Sequence, residues 1–175
     1  MLYVAYGSNL HPARLRHRVS SATLLGKATV VGRALQFHKR GKDGSAKCNI
    51  VAAKSDIHVA VYDIAADQKP TLDEAEGLGI GYEIETLDIA GYGQCFTYVA
   101  TETHIDGSLK PFFWYKQLII VGCEHLQFPQ DYLERIAAIA SIADPDRKRH
   151  AKQMMIVDRA RNGTEETVTT DAQGR

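Results

Sequence analysis

The stretch that decides the fold is residues 3–10, which read YVAYGSNL. Its first three residues form a short apolar run, typical of a strand buried on both faces, and the Gly-Ser-Asn sequence at 7–9 supplies turn residues that end a strand. Asn9 can then cap a helix that has Pro12 in its first turn. This order leaves several backbone N–H groups unpaired and oriented in one direction, which suits a carboxylate, a phosphate or a developing oxyanion. An ordinary strand–turn–helix connection has the same pattern, so local chemistry leaves both interpretations open.

The charge balance indicates a small-molecule ligand. The chain has 175 residues, enough for one domain with a full core and a terminal appendage. It contains 21 Lys and Arg and 21 Asp and Glu residues, so nothing indicates electrostatic capture of nucleic acid or of an anionic membrane. We therefore expect neither nucleic acid nor membrane as a partner.

Cysteine usage and the N-terminus predict a cytoplasmic protein. Cys48, Cys95 and Cys123 show no CxxC spacing, which favours free, buried thiols in a reducing compartment. The N-terminus lacks the features of a signal peptide, and no apolar run approaches the roughly 18 residues of a membrane span.

The hydrophobic patterns predict a mixed or mainly antiparallel sheet with helices around it. Residues 82–89 and 94–101 alternate around a glycine-containing turn and predict an antiparallel hairpin. The other predicted strands are 28–31, 34–38, 49–53 and 58–64, the last two at the centre of the sheet. The predicted helices are 12–18, 71–76, one from Pro111 through Gly122, and 130–143. Thr71 and Glu74 have capping-box spacing, and Gly77 suits the end of the same helix. Gly122 allows its helix to approach a neighbouring element closely.

Basic residues cluster in two places. Arg14, Arg16 and Arg18 belong to the first predicted helix. A solvated face is a commoner role for such residues than anion binding. His38, Lys39 and Arg40 lead into a charged turn, residues 39–45, and could meet an anionic ligand, although such turns are usually solvated.

Glu76 is the candidate catalytic carboxylate. It follows Leu72 by four residues and so shares a face that leans toward the core, while glycines at 77, 79 and 81 leave space beside it. A partly buried carboxylate can act as a general base, but a capping or salt-bridging role is also typical of a helix end. The glycines themselves lack GxGxxG spacing and follow a short helix, so a dinucleotide site is rejected.

No motif indicates a cofactor or a metal. The sequence has no GxSxG elbow, no P-loop and no ligand spacing among its seven histidines. We therefore predict no cofactor, no metal site and no serine nucleophile.

Three segments together resemble the γ-glutamylcyclotransferase family. They are YVAYGSNL at 3–10, LDEAEG at 72–77 followed by Tyr82, and YKQLIIVG at 115–122. The similarity spans roughly residues 1–143, and the three segments in this order form a specific combination. The resemblance favours the functional interpretation of both the first turn and Glu76.

The resemblance implies an α/β fold with a small mixed, mainly antiparallel sheet curled into a partial barrel with peripheral helices. It also implies an activity, in which a γ-glutamyl compound releases an amino acid or amine while its glutamyl part closes to 5-oxoproline, as in glutathione metabolism. Glu76 would be the acid/base, and Tyr6, Gly7, Ser8, Asn9 and Leu10 would bind the γ-glutamyl group. Tyr82 and Tyr115 match tyrosines near the pocket.

Two alternatives to this activity stay open: the same fold acting on another acyl-amine substrate, such as a γ-glutamylamine, and a non-catalytic ligand-binding or interaction protein. We predict a catalytic domain at 1–145 and a charged C-terminal tail at 146–175. The tail could cover the pocket or bridge a homodimer, and with the charged loop at 39–47 it bears on the substrate range.

Overall fold

The fold, a computed structural model that describes residues 1–163, is a curled sheet with helices packed around it. The strands are β1 Leu2–Ala5, β2 Thr23–Val30, β3 Arg33–Arg40, β4 Ala46–Ala52, β5 Ile57–Asp63, β6 Tyr82–Ile89 and β7 Gly93–Ala100. The five-stranded sheet has the order β2-β5-β1-β7-β6, and β3 and β4 form a separate two-stranded ribbon. Among these strands only β1 and β7 pair in parallel, so the sheet is mixed and mainly antiparallel as predicted.

Strand β1 is the centre of the sheet, between β5 and β7. Val4 and Ala5 are fully buried, which confirms that the apolar run is covered on both faces. The prediction that 49–53 would also be central is wrong, because this segment belongs to β4 in the outer ribbon. An apolar run is compatible with either position, since β4 is also largely buried.

The sheet curls until its two edge strands approach each other. Strands β2 and β6 are in contact, and the hydroxyl of Tyr92, in the β6–β7 turn, lies where a side chain on Gly26 of β2 would stand. The described strands do not close into a barrel, so the fold is the partial barrel that was predicted.

The β3–β4 ribbon is fastened to the sheet by side chains. The Oδ1 of Asn49 on β4 accepts a hydrogen bond of 2.8 Å from the backbone N–H of Ala100, at the end of β7. The hydroxyls of Tyr82 and Tyr115 bond to the backbone of Cys48, also on β4. The ribbon therefore forms a wall over the end of β1.

Helix boundaries confirm some local predictions and correct others. The helices are α1 Pro12–Arg16, α2 Lys69–Glu76, α3 Phe113–His125, α4 Gln130–Ala137 and α5 Arg147–Asn162. Gly77 ends α2 with a φ of 78°, and Glu76 is the last helical residue, both as predicted. The capping box of Thr71 and Glu74 does not form, because α2 begins earlier, with Pro70 in its first turn.

The cap of α1 is His11, whose Nδ1 accepts a hydrogen bond of 3.2 Å from the backbone N–H of Ala13. The prediction that Asn9 would cap this helix is wrong. The side chain of Asn9 is held by other partners, described below.

Helix α5 lies in the segment that was assigned to the tail, and it packs against α3 with Val157 fully buried. Its first turn is held by Asp144, which accepts two hydrogen bonds from Arg149, at 2.6 Å each, and one from Trp114 of α3 at 2.8 Å. The division at residue 145 stays a prediction, and residues 164–175 lie outside the described part of the chain. Within residues 1–163, no helix has the length and apolar character needed to cross a membrane.

Candidate active site

The turn after β1 presents free backbone donors. The N–H of Leu10 donates to the carbonyl of Gly7 at 3.1 Å and closes the turn. The N–H groups of Gly7, Ser8 and Asn9 make no hydrogen bond within residues 1–163. The sequence predicted that residues 7–10 would offer such donors, and the structure leaves three of the four available.

Glu76 stands directly beside this turn. Its Oε1 accepts hydrogen bonds from Nδ2 of Asn9 at 2.8 Å and from Nη1 of Arg18 at 2.7 Å. Both contacts use the same oxygen, and Oε2 accepts no hydrogen bond from the described residues. The Glu76 side chain is 17% exposed, so the carboxylate is sheltered but still reachable.

Asn9 connects the turn to the carboxylate. Its side chain is buried, with Oδ1 accepting from Arg18 at 3.1 Å and Nδ2 reaching both Glu76 and the hydroxyl of Tyr3, the latter at 3.1 Å. These bonds occupy the amide and explain why it does not cap α1. The catalytic candidate and the first turn, 67 residues apart in the chain, are therefore one unit.

Two adjoining cavities meet at Glu76. An inner recess of about 30 Å³ is lined by the first turn and five tyrosines: Tyr3, Tyr6, Tyr82, Tyr98 and Tyr115. An outer cavity of about 370 Å³ opens beside it, a volume in the range of small-molecule sites. Ser8, Glu76, Tyr82 and Tyr115 line both.

The tyrosine hydroxyls of the recess fall into two groups. The hydroxyl of Tyr6 donates to the carbonyl of Tyr98, and that of Tyr82 donates to the carbonyl of Cys48. The hydroxyl of Tyr98 donates to Asp73, so the protons of all three are already in hydrogen bonds. The hydroxyl of Tyr115 instead accepts from the N–H of Cys48 at 3.0 Å, and that of Tyr3 accepts from Asn9. The O–H of Tyr3 has no acceptor in residues 1–163, and the O–H of Tyr115 has beside it only the sulfur of Cys48, a weak acceptor.

Burial keeps these groups uncharged. It raises the pKa of Tyr3, Tyr82 and Tyr115 well above the ordinary tyrosine value, because the phenolate form loses its hydration. Burial likewise raises the pKa of the Cys48 thiol. Tyr3 and Tyr115 are therefore neutral hydrogen-bond donors near neutral pH.

The outer cavity is strongly basic. Its lining contains two carboxylates, Asp43 and Glu76, and six cations, which come from α1, the turn after α1 and the β3–β4 ribbon. The six are Arg14, Arg18, Lys39, Arg40, Lys42 and Lys47. The expectation of a solvated basic helix is wrong for Arg14, which is 9% exposed, and for Arg18, which binds Glu76. Their spacing of four residues was a signal that both face the same way.

The predicted site residues come together with one exception. Glu76, Tyr6, Gly7, Ser8, Asn9, Tyr82 and Tyr115 all line the recess. Leu10 does not, because its side chain is fully buried in the core and its carbonyl accepts a hydrogen bond of 2.7 Å from Tyr62. Of the described residues, no three His, Cys, Asp or Glu side chains are grouped as a metal site would require.

Comparisons with known proteins identify the fold. No family model and no curated protein matches the sequence. In three dimensions, however, the chain is similar to a γ-glutamyl cyclotransferase, with a TM-score of 0.79 and 24% identity, covering 91% of this chain and 98% of that one. The chain therefore has the γ-glutamyl cyclotransferase fold.

Two further structures share this fold. An uncharacterized protein from Homo sapiens has a TM-score of 0.75 and 23% identity, over 90% of this chain and 97% of that one. YkqA from Bacillus subtilis has a TM-score of 0.68 and 20% identity, over 81% of this chain but 56% of that protein.

Proposed function

We propose that the protein is a γ-glutamylcyclotransferase-type enzyme that converts a small γ-glutamyl compound into 5-oxoproline and a free amine. The observation that carries the proposal is the direct bond between Glu76 and Asn9, which joins a sheltered carboxylate to a turn with free N–H donors. The fold it shares with a γ-glutamyl cyclotransferase adds support.

The reaction is an intramolecular acyl transfer, and its nucleophile belongs to the substrate. In the proposed mechanism Glu76 takes a proton from the substrate α-ammonium, and the neutral amine attacks the γ-carbonyl carbon. The carbonyl electron pair moves onto oxygen as the new C–N bond forms. Well-oriented intramolecular reactions reach effective molarities of about 10⁵–10⁸ M, so the main task of the site is to fold the substrate correctly.

Collapse of the tetrahedral intermediate expels the leaving amine. The bond from the γ-carbon to the leaving nitrogen breaks as Glu76 returns its proton to that nitrogen. The ring nitrogen then gives up its second proton, again through Glu76, and the released amine departs as an ammonium ion. Each proton that leaves the substrate α-ammonium thus ends on the product amine, and no outside acid or base is needed.

Oxyanion stabilisation falls to donors around the recess. The available donors are the N–H groups of Gly7, Ser8 and Asn9 and the O–H of Tyr115, which a substrate oxyanion can take from the weakly accepting Cys48 sulfur. The hydroxyl of Tyr115 lies 3.6 Å from the position that a Cβ on Gly7 would take, so it stands beside the first turn. Donors that are already oriented stabilise developing charge without reorganisation.

The experiment that tests the proposal is Glu76→Gln, assayed by 5-oxoproline release from γ-glutamyl dipeptides. We expect kcat/KM to fall by roughly 10²–10⁴-fold, because the amide cannot carry the proton. The matched control is Glu74→Gln, an exposed residue of the same helix, which should keep wild-type activity. Wild-type turnover in a folded Glu76→Gln protein would refute the role of Glu76.

A wild-type protein that turns over no γ-glutamyl compound would refute the enzyme proposal as a whole. Binding without product would then support the alternative of a ligand-binding protein.

A further inference from the structure

Two cations of the outer cavity are buried without a counter-ion among the described residues. Arg14 is 9% exposed, and its Nε has no hydrogen-bond partner within residues 1–163. Lys39 is 8% exposed and pairs with no carboxylate of residues 1–163; its ammonium lies over the ring of Tyr82, 4.4 Å from the centroid. Buried charges are normally paired, because an unpaired one loses its hydration without compensation.

The other cations of the cavity are accounted for. Arg18 pairs with Glu76 at 2.7 Å, Lys47 with Asp43 at 2.7 Å, and Arg40 with Asp106 at 3.1 Å. Lys42 is exposed to solvent. Arg14 and Lys39 are therefore the two buried cations of this cavity that have no carboxylate partner in residues 1–163.

Burial also changes the pKa of both groups. It lowers the pKa of Arg14 to about 10 and lowers that of Lys39, while the charge of Glu76 opposes both shifts. An anion bound beside them would compensate the lost hydration. Arg14 of α1 and Lys39 of β3 line the same cavity, so one bound ligand can contact both.

The net charge around the reaction centre indicates the charge of the ligand. Around the reaction centre Arg14, Arg18 and Lys39 supply three positive charges and Glu76 one negative charge, a surplus of two. A γ-glutamylamine is a net-neutral zwitterion if its amine part is uncharged, and a γ-glutamyl derivative of a neutral amino acid carries one net negative charge. A γ-glutamyl derivative of a dicarboxylic amino acid carries two and balances the site.

We propose that the preferred substrate has an acidic leaving group, an amino acid with two carboxylates such as aspartate or glutamate, which Arg14 and Lys39 bind in the outer cavity. This inference rests on the proposed function. It adds a specificity that the reaction itself does not require, since cyclisation involves only the glutamyl part.

The test compares γ-glutamyl-glutamate with γ-glutamyl-glutamine, which have nearly the same shape and differ by one charge. We expect kcat/KM for 5-oxoproline release to be at least tenfold higher for the acidic dipeptide. In Lys39→Met and in Arg14→Gln this ratio should fall toward one. Lys54→Met, the same substitution at an exposed turn outside the cavity, should keep the wild-type ratio.

Equal kcat/KM values for the two dipeptides in the wild-type protein would overturn the inference and leave the proposed function standing. A wild-type preference that persists in both Lys39→Met and Arg14→Gln would also overturn it. If neither dipeptide is turned over, calorimetry on the wild-type protein decides. Tighter binding of the acidic dipeptide supports the acidic-ligand site without the reaction, and equal or absent binding refutes the acidic-ligand site.

Discussion

Replacing Gly122 with alanine tests whether the first turn depends on close packing against α3. A Cβ at this position would stand 2.4 Å from Cβ of Leu10, 3.1 Å from the backbone nitrogen of His11 and 3.3 Å from the carbonyl carbon of Leu10. Ordinary contacts of this kind are 3.4–4 Å, so α3 and the turn must separate. The atoms that are met belong to the backbone or its first side-chain carbon and cannot rotate away.

Two opposing effects set the size of the change. Alanine in a helix interior is favoured over glycine by about 1 kcal/mol, whereas overpacking a tight contact costs about 1–3 kcal/mol. Because the closest approach is far below contact distance, we expect overpacking to win by about 1–2 kcal/mol. For a domain of this size, this corresponds to a Tm lowered by about 2–8 °C.

The assay is urea unfolding and thermal denaturation of Gly122→Ala, with 5-oxoproline release measured in parallel. We expect kcat/KM to fall along with stability, because Leu10 ends the turn that carries the N–H donors. Gly107→Ala is the matched control, since a Cβ there meets nothing within 4 Å and its φ is not positive. Unchanged or increased stability in Gly122→Ala would refute the argument from close packing.

Three further variants test single contacts. Tyr115→Phe should lower kcat by about 10²-fold, because an oxyanion donor is lost. Tyr82→Phe should lower kcat less, because the hydroxyl proton of Tyr82 is already donated to the carbonyl of Cys48. Equal losses in kcat would contradict the assignment of Tyr115 as the donor. Asp144→Asn should reduce the unfolding free energy by about 1.5–3 kcal/mol at pH 7, because it weakens the charge-assisted bonds to Arg149. Since those bonds hold the pKa of Asp144 well below its usual value, its stabilising effect is complete above about pH 5 and is lost as the pH falls toward the folded pKa. Urea unfolding at pH 7 and pH 3 measures this, and a difference that does not depend on pH would contradict the ion pair.

The sequence predicted the parts of the site that depend on neighbouring residues. A buried strand that ends in a glycine turn, and a short helix that ends at Glu76, follow from local patterns of polarity and backbone preference. The close approach at Gly122 was likewise predicted. Such features are set by residues a few positions apart.

Local sequence patterns could not predict contacts between residues that are distant in the sequence. The side chain of Asn9 would cap a helix by local chemistry, but a carboxylate from residue 76 and a guanidinium from residue 18 bind it instead. For Lys39 the sequence left a solvated turn and contact with an anionic ligand both open, with the solvated turn the commoner, yet β3 runs on through Arg40 and buries this lysine. Helix α5 was missed because its sequence is mostly charged, and its buried contact is made mainly by Val157.

The two tyrosine bonds to Cys48 have a consequence for the dynamics of the recess. Tyr82 and Tyr115 hold the carbonyl and the N–H of this residue, and its sulfur lies 3.8 Å from the Cβ position of Gly7. The thiol is shielded only while the ribbon stays closed over the first turn. Its rate of modification by a thiol reagent therefore reports how often the ribbon lifts, so that Cys48 is a natural probe of local opening.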